Sequence, residues 1–267
     1  MFTVVIPLYN KEVNIKDTIQ SVLSQTYQEF EIVIVNDGST DRSVTIVEAL
    51  CDSRIRLLHQ NNLGVSAARN HGIKKAKFEW IAFLDGDDIW KPNHLSQILK
   101  MITIHANNMI FATSFEYSDK RKQFRYQRRD SIFKVTNYFQ EAIHERILWT
   151  GVVVAHKTCF YKVGYFNEKL NRGEDLDLWA RIASSCTIVK STVITAEYKL
   201  DDLDSLSKGR SNYNKSILSI IDLKSKSGFE HKYYKKMIIN RIKLNVRGGY
   251  IKEIIKILIK HNFELLK

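Results

Sequence analysis

The sequence predicts an α/β fold, a mostly parallel sheet flanked by helices, and three observations carry that expectation. Four short apolar runs recur before residue 86, stretches with helical apolar spacing separate them, and three of the runs end in small clusters of polar residues. The runs are apolar throughout rather than alternating, which marks strands buried on both faces, as in parallel sheets. In such sheets ligands bind in the crevice beyond the carboxyl ends of the strands, so the polar ends locate a candidate site.

Taken in order, "FTVVIPL" (Phe2 to Leu8) is the first strand, β-branched and ending near a proline. A helix over Asn14 to Ser24 follows, with Ile15, Ile19, Val22 and Leu23 on one face. "EIVIVND" (Glu31 to Asp37) is the second strand, and a helix over Asp41 to Cys51 follows it, with Ser39, Thr40 or Asp41 as the N-cap. "IRLLHQ" (Ile55 to Gln60), a helix over Val65 to Ala76 and "WIAFLD" (Trp80 to Asp85) complete the series. Farther on, "GEDLDLWARIA" (Gly173 to Ala183) reads as a helix opening. Glu174, Asp175 and Asp177 lie in its first turn, where the macrodipole favours negative charge, and Asp177 is spaced to pair with Arg181.

At 267 residues and 44% hydrophobic, the chain can bury one large core or two fused lobes. Two prolines and no Ser/Gly-rich run argue against a flexible linker. The three cysteines, Cys51, Cys159 and Cys186, lack metal-ligand spacing and read as thiols in a reducing compartment. The N-terminus lacks the features of a signal peptide and no stretch reads as a membrane span, so the expected location is cytoplasmic, with peripheral contact on the inner face of the cell membrane. Of the net charge of +12, most belongs to residues 208–267, which hold 15 Lys/Arg against 4 Asp/Glu.

The polar strand ends are "PLYN", "NDGSTD" and "DGDD". Each alone is open to a plainer reading: Asp-Gly is a favoured turn pair, and "NDGSTD" is also a turn leading into a helix. Three like charges at Asp85, Asp87 and Asp88 nonetheless call for a compensating positive partner.

Together, "VVIPLYNKE", "IVIVNDGSTD", "NNLGVSAARNHG", "WIAFLDGDD" and "GEDLDLWAR", in this order over residues 3–181, resemble the family 2 glycosyltransferases of GT-A fold. The resemblance implies residues 1–100 as a nucleotide-sugar-binding half and 101–207 as the acceptor-binding half of the same domain, with 208–267 as a basic, mainly helical C-terminal region. It places Pro7, Tyr9 and Glu12 around the nucleotide base. Asp37 would accept from the uracil N3–H, Arg69 would serve the base or phosphates, and Gly64 would let the backbone pass close to the nucleotide. Asp85, Gly86 and Asp87 form its DxD motif: Asp85 reaches ribose and metal, and Asp87 binds the metal, Mn²⁺ or Mg²⁺. Asp88 either assists or caps the following helix. Asp175 is implied as the general base of an inverting transfer, with Glu174 orienting the acceptor.

Trp149 is a candidate platform for an acceptor sugar, alongside the alternative of a core tryptophan. The family's late histidine is not evident in "YKLDDLDSLSKGR", which leaves Lys208 or Arg210 to reach the phosphates. The expected partners are a UDP-sugar and a glycan acceptor, as a lipid-diphosphate-linked intermediate of bacterial surface polysaccharide such as O-antigen or capsule. From Ile251 to Ile259, Ile251, Ile254, Ile255, Leu258 and Ile259 run beside Lys252, Lys256 and Lys260. That pattern suits either peripheral membrane contact through 233–267 or a helix packed on the catalytic lobe, and the apolar tail also suits a homodimer.

Two rival classes are weighed. A nucleotidyltransferase acting on sugar phosphates would need a glycine- and basic-rich loop after the first strand, whereas "PLYNKEVNI" has no glycine and one lysine. A non-enzymatic nucleic-acid binder would use the basic tail but leaves the aspartate clusters unexplained, so no nucleic acid is expected.

Overall fold

Residues buried on alternating sides organise the molecule around one sheet. The computed structural model describes residues 1–119, 131–199 and 212–266. Its N-terminal half runs β1 (Phe2–Leu8), α1 (Ile15–Leu23), β2 (Phe30–Asn36), α2 (Ser43–Glu48), β3 (Ile55–His59), α3 (Val65–Lys75) and β4 (Trp80–Phe83). A two-residue strand β5 (Ile89–Trp90), α4 (His94–Ile104), β6 (Ile110–Tyr117), β7 (Ile132–Lys134) and α5 (Tyr138–Ala142) follow. Then come β8 (Val153–His156), α6 (Lys157–Val163), α7 (Glu174–Ala183), β9 (Ile188–Tyr198), α8 (Ile217–Ile220), α9 (Gly228–Arg247) and α10 (Ile251–Leu266).

The sheet order is β3-β2-β1-β4-β8-β6-β9-β5, with β7 paired to β9. The four strands β3, β2, β1 and β4 are mutually parallel, whereas β8 runs antiparallel to both β4 and β6. This is the α/β architecture expected, and it carries the two sequence halves on one continuous sheet.

The pleat explains the apolar runs, because successive side chains point to opposite faces. Phe2, Val4, Ile6 and Leu8 of β1 join a cluster with α1 and α4, through Ile15, Ile19, Val22, Leu95 and Ile98. Val5 joins the opposite cluster with Ile73 of α3, Phe83, Phe160 and Trp179. Both faces are covered, and the polar Thr3 of β1 is buried only with its hydroxyl donating to Glu31 Oε1 at 2.8 Å. Gly72 shows how closely α3 lies on β1: a Cβ there would come 2.4 Å from Val5 Cγ1.

The strands begin or end within two residues of expectation. The helix after β2 is shorter than expected, starting at Ser43 with Arg42 at its N-cap and no side-chain cap. None of Ser39, Thr40 and Asp41 caps it in the expected way. Asp41 instead accepts from the Ser43 N–H at 2.9 Å and from the Glu12 N–H at 3.0 Å, so its carboxylate joins two loops.

Of the arrangements weighed for the C-terminal region, packing on the rest of the fold is the one seen. α9 packs on α5, and α10 packs on α9. α10 turns Glu253, Ile257 and His261 inward, at i, i+4 and i+8. Ile251, Ile255, Leu258 and Ile259 face outward, with Ile259 74% exposed, beside exposed Lys252, Lys256 and Lys260. The helix is therefore anchored by a narrow, partly polar seam and leaves its apolar stripe in solvent. Among the described residues, no helix is long and apolar enough to cross a membrane.

Candidate active site

The polar ends of β1, β2 and β4 and the start of α7 meet at a cavity of about 1190 Å³. Its walls include Pro7, Tyr9, Asp37, Gly64, Arg69, Asp85, Gly86, Asp87, Glu174 and Asp175. The expected site residues are thus brought together, with a few exceptions.

Asp37, just beyond β2, is 3% exposed and already heavily bonded. Its Oδ1 accepts from Gln60 Nε2 and from the Leu63 N–H, both at 2.8 Å, and its Oδ2 accepts from the Gly64 N–H at 2.8 Å. A carboxylate offers about four acceptor positions, so three are taken and one is open to an outside donor. The same bonds set the loop into α3, where Gly64 has φ +94°, a conformation that disfavours any residue with a Cβ. The space beside Gly64 is open to 4 Å, leaving room for a ligand.

Arg69 on α3 is 4% exposed. It donates through Nη2 to Asp85 Oδ1 at 2.7 Å and through Nη1 to Glu174 Oε1 at 3.0 Å, and it lies 5.2 Å from the centre of the Phe166 ring. Burial alone would lower its pKa, but Asp85 and Glu174 outweigh that and hold it above the ordinary range. Its two partners come from the end of β4 and the first residue of α7, 16 and 105 positions along the chain from it.

The other carboxylates have their own cations. Lys11 Nζ lies 2.8 Å from Asp87 Oδ2, and Arg146 Nη2 lies 3.0 Å from Asp175 Oδ2. Asp175 Oδ1 accepts from the Leu176 N–H at 2.8 Å, which fixes the carboxylate at the opening of α7. Gly173, at the N-cap, takes φ +77° to turn the chain into that helix. Glu174 is raised by burial and by the charge of Asp175, with Arg69 offsetting part of the effect. The pairing of Asp177 with Arg181 is present at 2.7 Å.

Asp88 is 1% exposed and is raised well above the usual carboxylate range, first by burial and then by Asp87 and Asp85. Its Oδ1 accepts from the Lys199 N–H at 3.0 Å, and its Oδ2 has no partner among the described residues. It does not cap α4, whose N-cap is Asn93.

Two of the expected residues stand apart from the rest. Glu12 is not part of the cavity wall: its carboxylate accepts from the Arg42 N–H at 2.9 Å and from Arg42 Nε at 3.3 Å, bracing the loop before α2. Trp149 lines the cavity but is only 2% exposed, packed against Phe115 and Tyr198 with ring centres 4.6 Å and 5.1 Å away. It is a fixed wall of the core rather than an open platform for a sugar. Lys208 and Arg210 lie outside the described residues.

Sequence reasoning missed Lys11, although it stands inside "VVIPLYNKE", and Arg146, which lies in the stretch with the weakest pattern. It also missed that α9 forms a wall through Lys236, Met237, Asn240, Arg241 and Leu244. The spacing of those five residues, along one helix face, was the available signal.

The sequence profile described as "Glycosyl transferase family 2" matches residues 3–168. The chain belongs to this family. Among curated family relatives, an uncharacterized glycosyltransferase of Rickettsia bellii is 36% identical over 184 residues, covering 68% of this chain and 26% of that protein. The glycosyltransferase GlyG of Streptococcus pneumoniae is 36% identical over 127 residues, covering 46% of this chain and 42% of its own length. The chain thus spans less than half of these two relatives. The family fold is seen in S. aureus TarS 1-349 solved with UDP-GlcNAc: TM-score 0.69, 19% identity, 97% of this chain and 72% of that one covered. A second TarS structure, with UDP, gives TM-score 0.65 at 23% identity, covering 74% of this chain and 60% of that chain. These likenesses establish the GT-A fold.

The bonding of Asp37 generates a test. In Asp37→Asn an amide N–H replaces one acceptor oxygen and meets a backbone or Gln60 donor, so the variant should lose about 1–3 kcal/mol of stability. Urea denaturation measures this, and an unchanged midpoint would show that the three bonds do not hold the loop.

Proposed function

We propose that the chain is an inverting glycosyltransferase that moves a sugar from a UDP-sugar to a hydroxyl of a glycan acceptor. The observation that carries this reading is the bridging of Asp85, in the DxD motif, to Glu174, beside Asp175, by one buried arginine at the wall of one cavity. Support for a UDP-sugar donor comes from TarS, whose structures were solved with UDP and UDP-GlcNAc.

In this reading Pro7 and Tyr9 flank the base, the open acceptor position of Asp37 takes the uracil N3–H, and Gly64 and Gly86 give the nucleotide close access to the backbone. A Cβ at Gly86 would stand 3.3 Å from the Pro7 carbonyl oxygen, so the strand ends are already in near contact there. Asp175 takes the proton of the acceptor hydroxyl as that oxygen attacks the anomeric carbon from the side opposite UDP. Arg146 and the Leu176 N–H hold the Asp175 carboxylate in place, and Glu174, fixed by Arg69, orients the acceptor. One base and direct displacement give a β-linked product from an α-linked donor.

The donor set suits a hard divalent cation. Among the described residues no three His, Cys, Asp or Glu side chains are grouped to hold a metal alone. Mg²⁺ and its relatives, however, are commonly held by one or two carboxylates together with substrate phosphates. Asp87, with Asp85, would hold Mn²⁺ or Mg²⁺, and the buried Asp88, whose Oδ2 has no partner among the described residues, stands beside them. When bound, the ion would supply positive charge against the departing diphosphate. Lys11 stands where it neutralises Asp87 in the absence of that charge.

The acceptor in this reading is a lipid-diphosphate-linked intermediate of bacterial surface polysaccharide, and the outward stripe of α10 supports contact with an anionic membrane surface. Full-length protein should float with anionic vesicles and not with neutral ones, and Ile255→Asp with Ile259→Asp should abolish flotation. Equal flotation of the double variant would remove α10 from the account.

UDP release tests the activity, with UDP-Glc, UDP-Gal, UDP-GlcNAc and UDP-GalNAc, each with Mn²⁺ or EDTA. One donor should be consumed in a metal-dependent way, and Asp87→Ala and Asp175→Asn should each lower the rate by at least about a hundredfold. If no donor is turned over and UDP does not bind with metal present, the transferase reading is wrong.

A further inference from the structure

Behind Asp37 a chain of hydrogen bonds leads away from the cavity to a histidine. Gln60, the residue after β3, continues the sheet ladder, its N–H donating to the Asn36 carbonyl at 2.9 Å. Its side chain donates through Nε2 to Asp37 Oδ1 at 2.8 Å, and its Oε1 lies 3.0 Å from His71 Nδ1 on α3. Gln60 and His71 are half-buried, and neither lines the cavity, whereas Asp37 does. Any effect of the pair on a ligand therefore passes through Asp37.

The proton positions follow by elimination. Asp37 takes three donors, Gln60 Nε2, the Leu63 N–H and the Gly64 N–H, and acts only as an acceptor. Gln60 must turn its amide NH₂ to Asp37 and its carbonyl oxygen to His71. That oxygen needs a donor, so Nδ1 of His71 carries the proton. Burial, and then the charges of Lys75 and Lys74, lower the His71 pKa and favour the neutral ring, in which one nitrogen alone holds a hydrogen. The other tautomer would set a lone pair against Oε1. Flipping the Gln60 amide to relieve that would set the same oxygen against the Asp37 carboxylate. One order of donors and acceptors satisfies all three groups.

That order matters for the base. In the proposed mechanism the open acceptor position of Asp37 takes the uracil N3–H. Cytosine has a lone pair at N3 and an amino group beside it, so a carboxylate fixed with one open position facing N3 refuses it. Without His71, the oxygen side of Gln60 has no partner and the side chain is free to swing to water. The carboxylate then gains a second open position and loses one of the three bonds that fix its plane. It can turn and accept the cytosine amino group. On the transferase reading, and deepening it, we propose that His71 is a positioning residue: through Gln60 it fixes the plane of the Asp37 carboxylate and so sets the preference for a uridine over a cytidine nucleotide.

The test titrates the full chain with UDP and with CDP by calorimetry, each in the presence of Mg²⁺. The wild type should bind UDP at least about tenfold more tightly than CDP, the difference made by one charge-assisted bond that only uracil forms. His71→Leu should bring the two affinities to within about threefold of each other. His71→Asn, whose amide nitrogen can stand where Nδ1 stands, should keep the wild-type ratio. A role in packing alone would not separate these two variants. Nitrogen-15 NMR of the unliganded wild type, which needs no variant, should place the proton of the neutral His71 ring on Nδ1. A ring protonated on Nε2 alone would overturn the proposal, as would an unchanged ratio in His71→Leu. So would a His71→Asn variant that behaves like His71→Leu, or a wild type that binds UDP and CDP equally. If neither nucleotide binds, the transferase reading itself fails and the proposal falls with it.

Discussion

A buried arginine cannot stand alone, and Arg69 is the point on which this structure turns. Taking its charge out of water is costly unless carboxylates meet it with good geometry. Here the two carboxylates come from different parts of the chain, the end of β4 and the start of α7. Satisfying Arg69 therefore ties the start of α7 to the carboxyl end of β4. The close approach of α3 to β1 at Gly72 sets the height at which the guanidinium emerges. Phe166 lies beside it, limiting access of water to the bridge.

The same logic accounts for the rest of the acidic cavity. Asp85, Asp87, Asp88, Glu174 and Asp175 gather there, and neutral packing could not hold them together. Lys11 meets Asp87, Arg146 meets Asp175, and Arg69 serves Asp85 and Glu174. Asp88 is the exception: it is buried, its pKa is raised well above the usual carboxylate range, which favours the neutral acid, and one of its oxygens has no partner among the described residues.

Much of this was legible in the sequence because it depends on short-range pattern. Unbroken apolar runs gave the two-sided sheet, and the polar residues after β1, β2 and β4 marked its active edge. The ordered motifs then pointed to Asp37, Arg69, Asp85, Asp87 and the Glu174–Asp175 pair, all of which line one cavity. What escaped depends on tertiary placement. Glu12 has the right neighbours in sequence, but its carboxylate is drawn to the Arg42 backbone and side chain. Trp149 has the right residue type, but the core closes over it. The face of α10 could not be assigned from spacing, since the helix buries Glu253 and His261 with Ile257 and exposes Ile251, Ile255 and Ile259.

The central claim is that Arg69 joins Asp85 at the end of β4 and Glu174 at the start of α7 into one site. A double-mutant cycle between Arg69→Met and Glu174→Gln, followed by urea denaturation in metal-free buffer, measures that link directly. The account predicts a coupling energy of about 1–3 kcal/mol, the range for partners in one buried network. Changes that add to within about 0.5 kcal/mol would mean that the two residues act independently, and would contradict it.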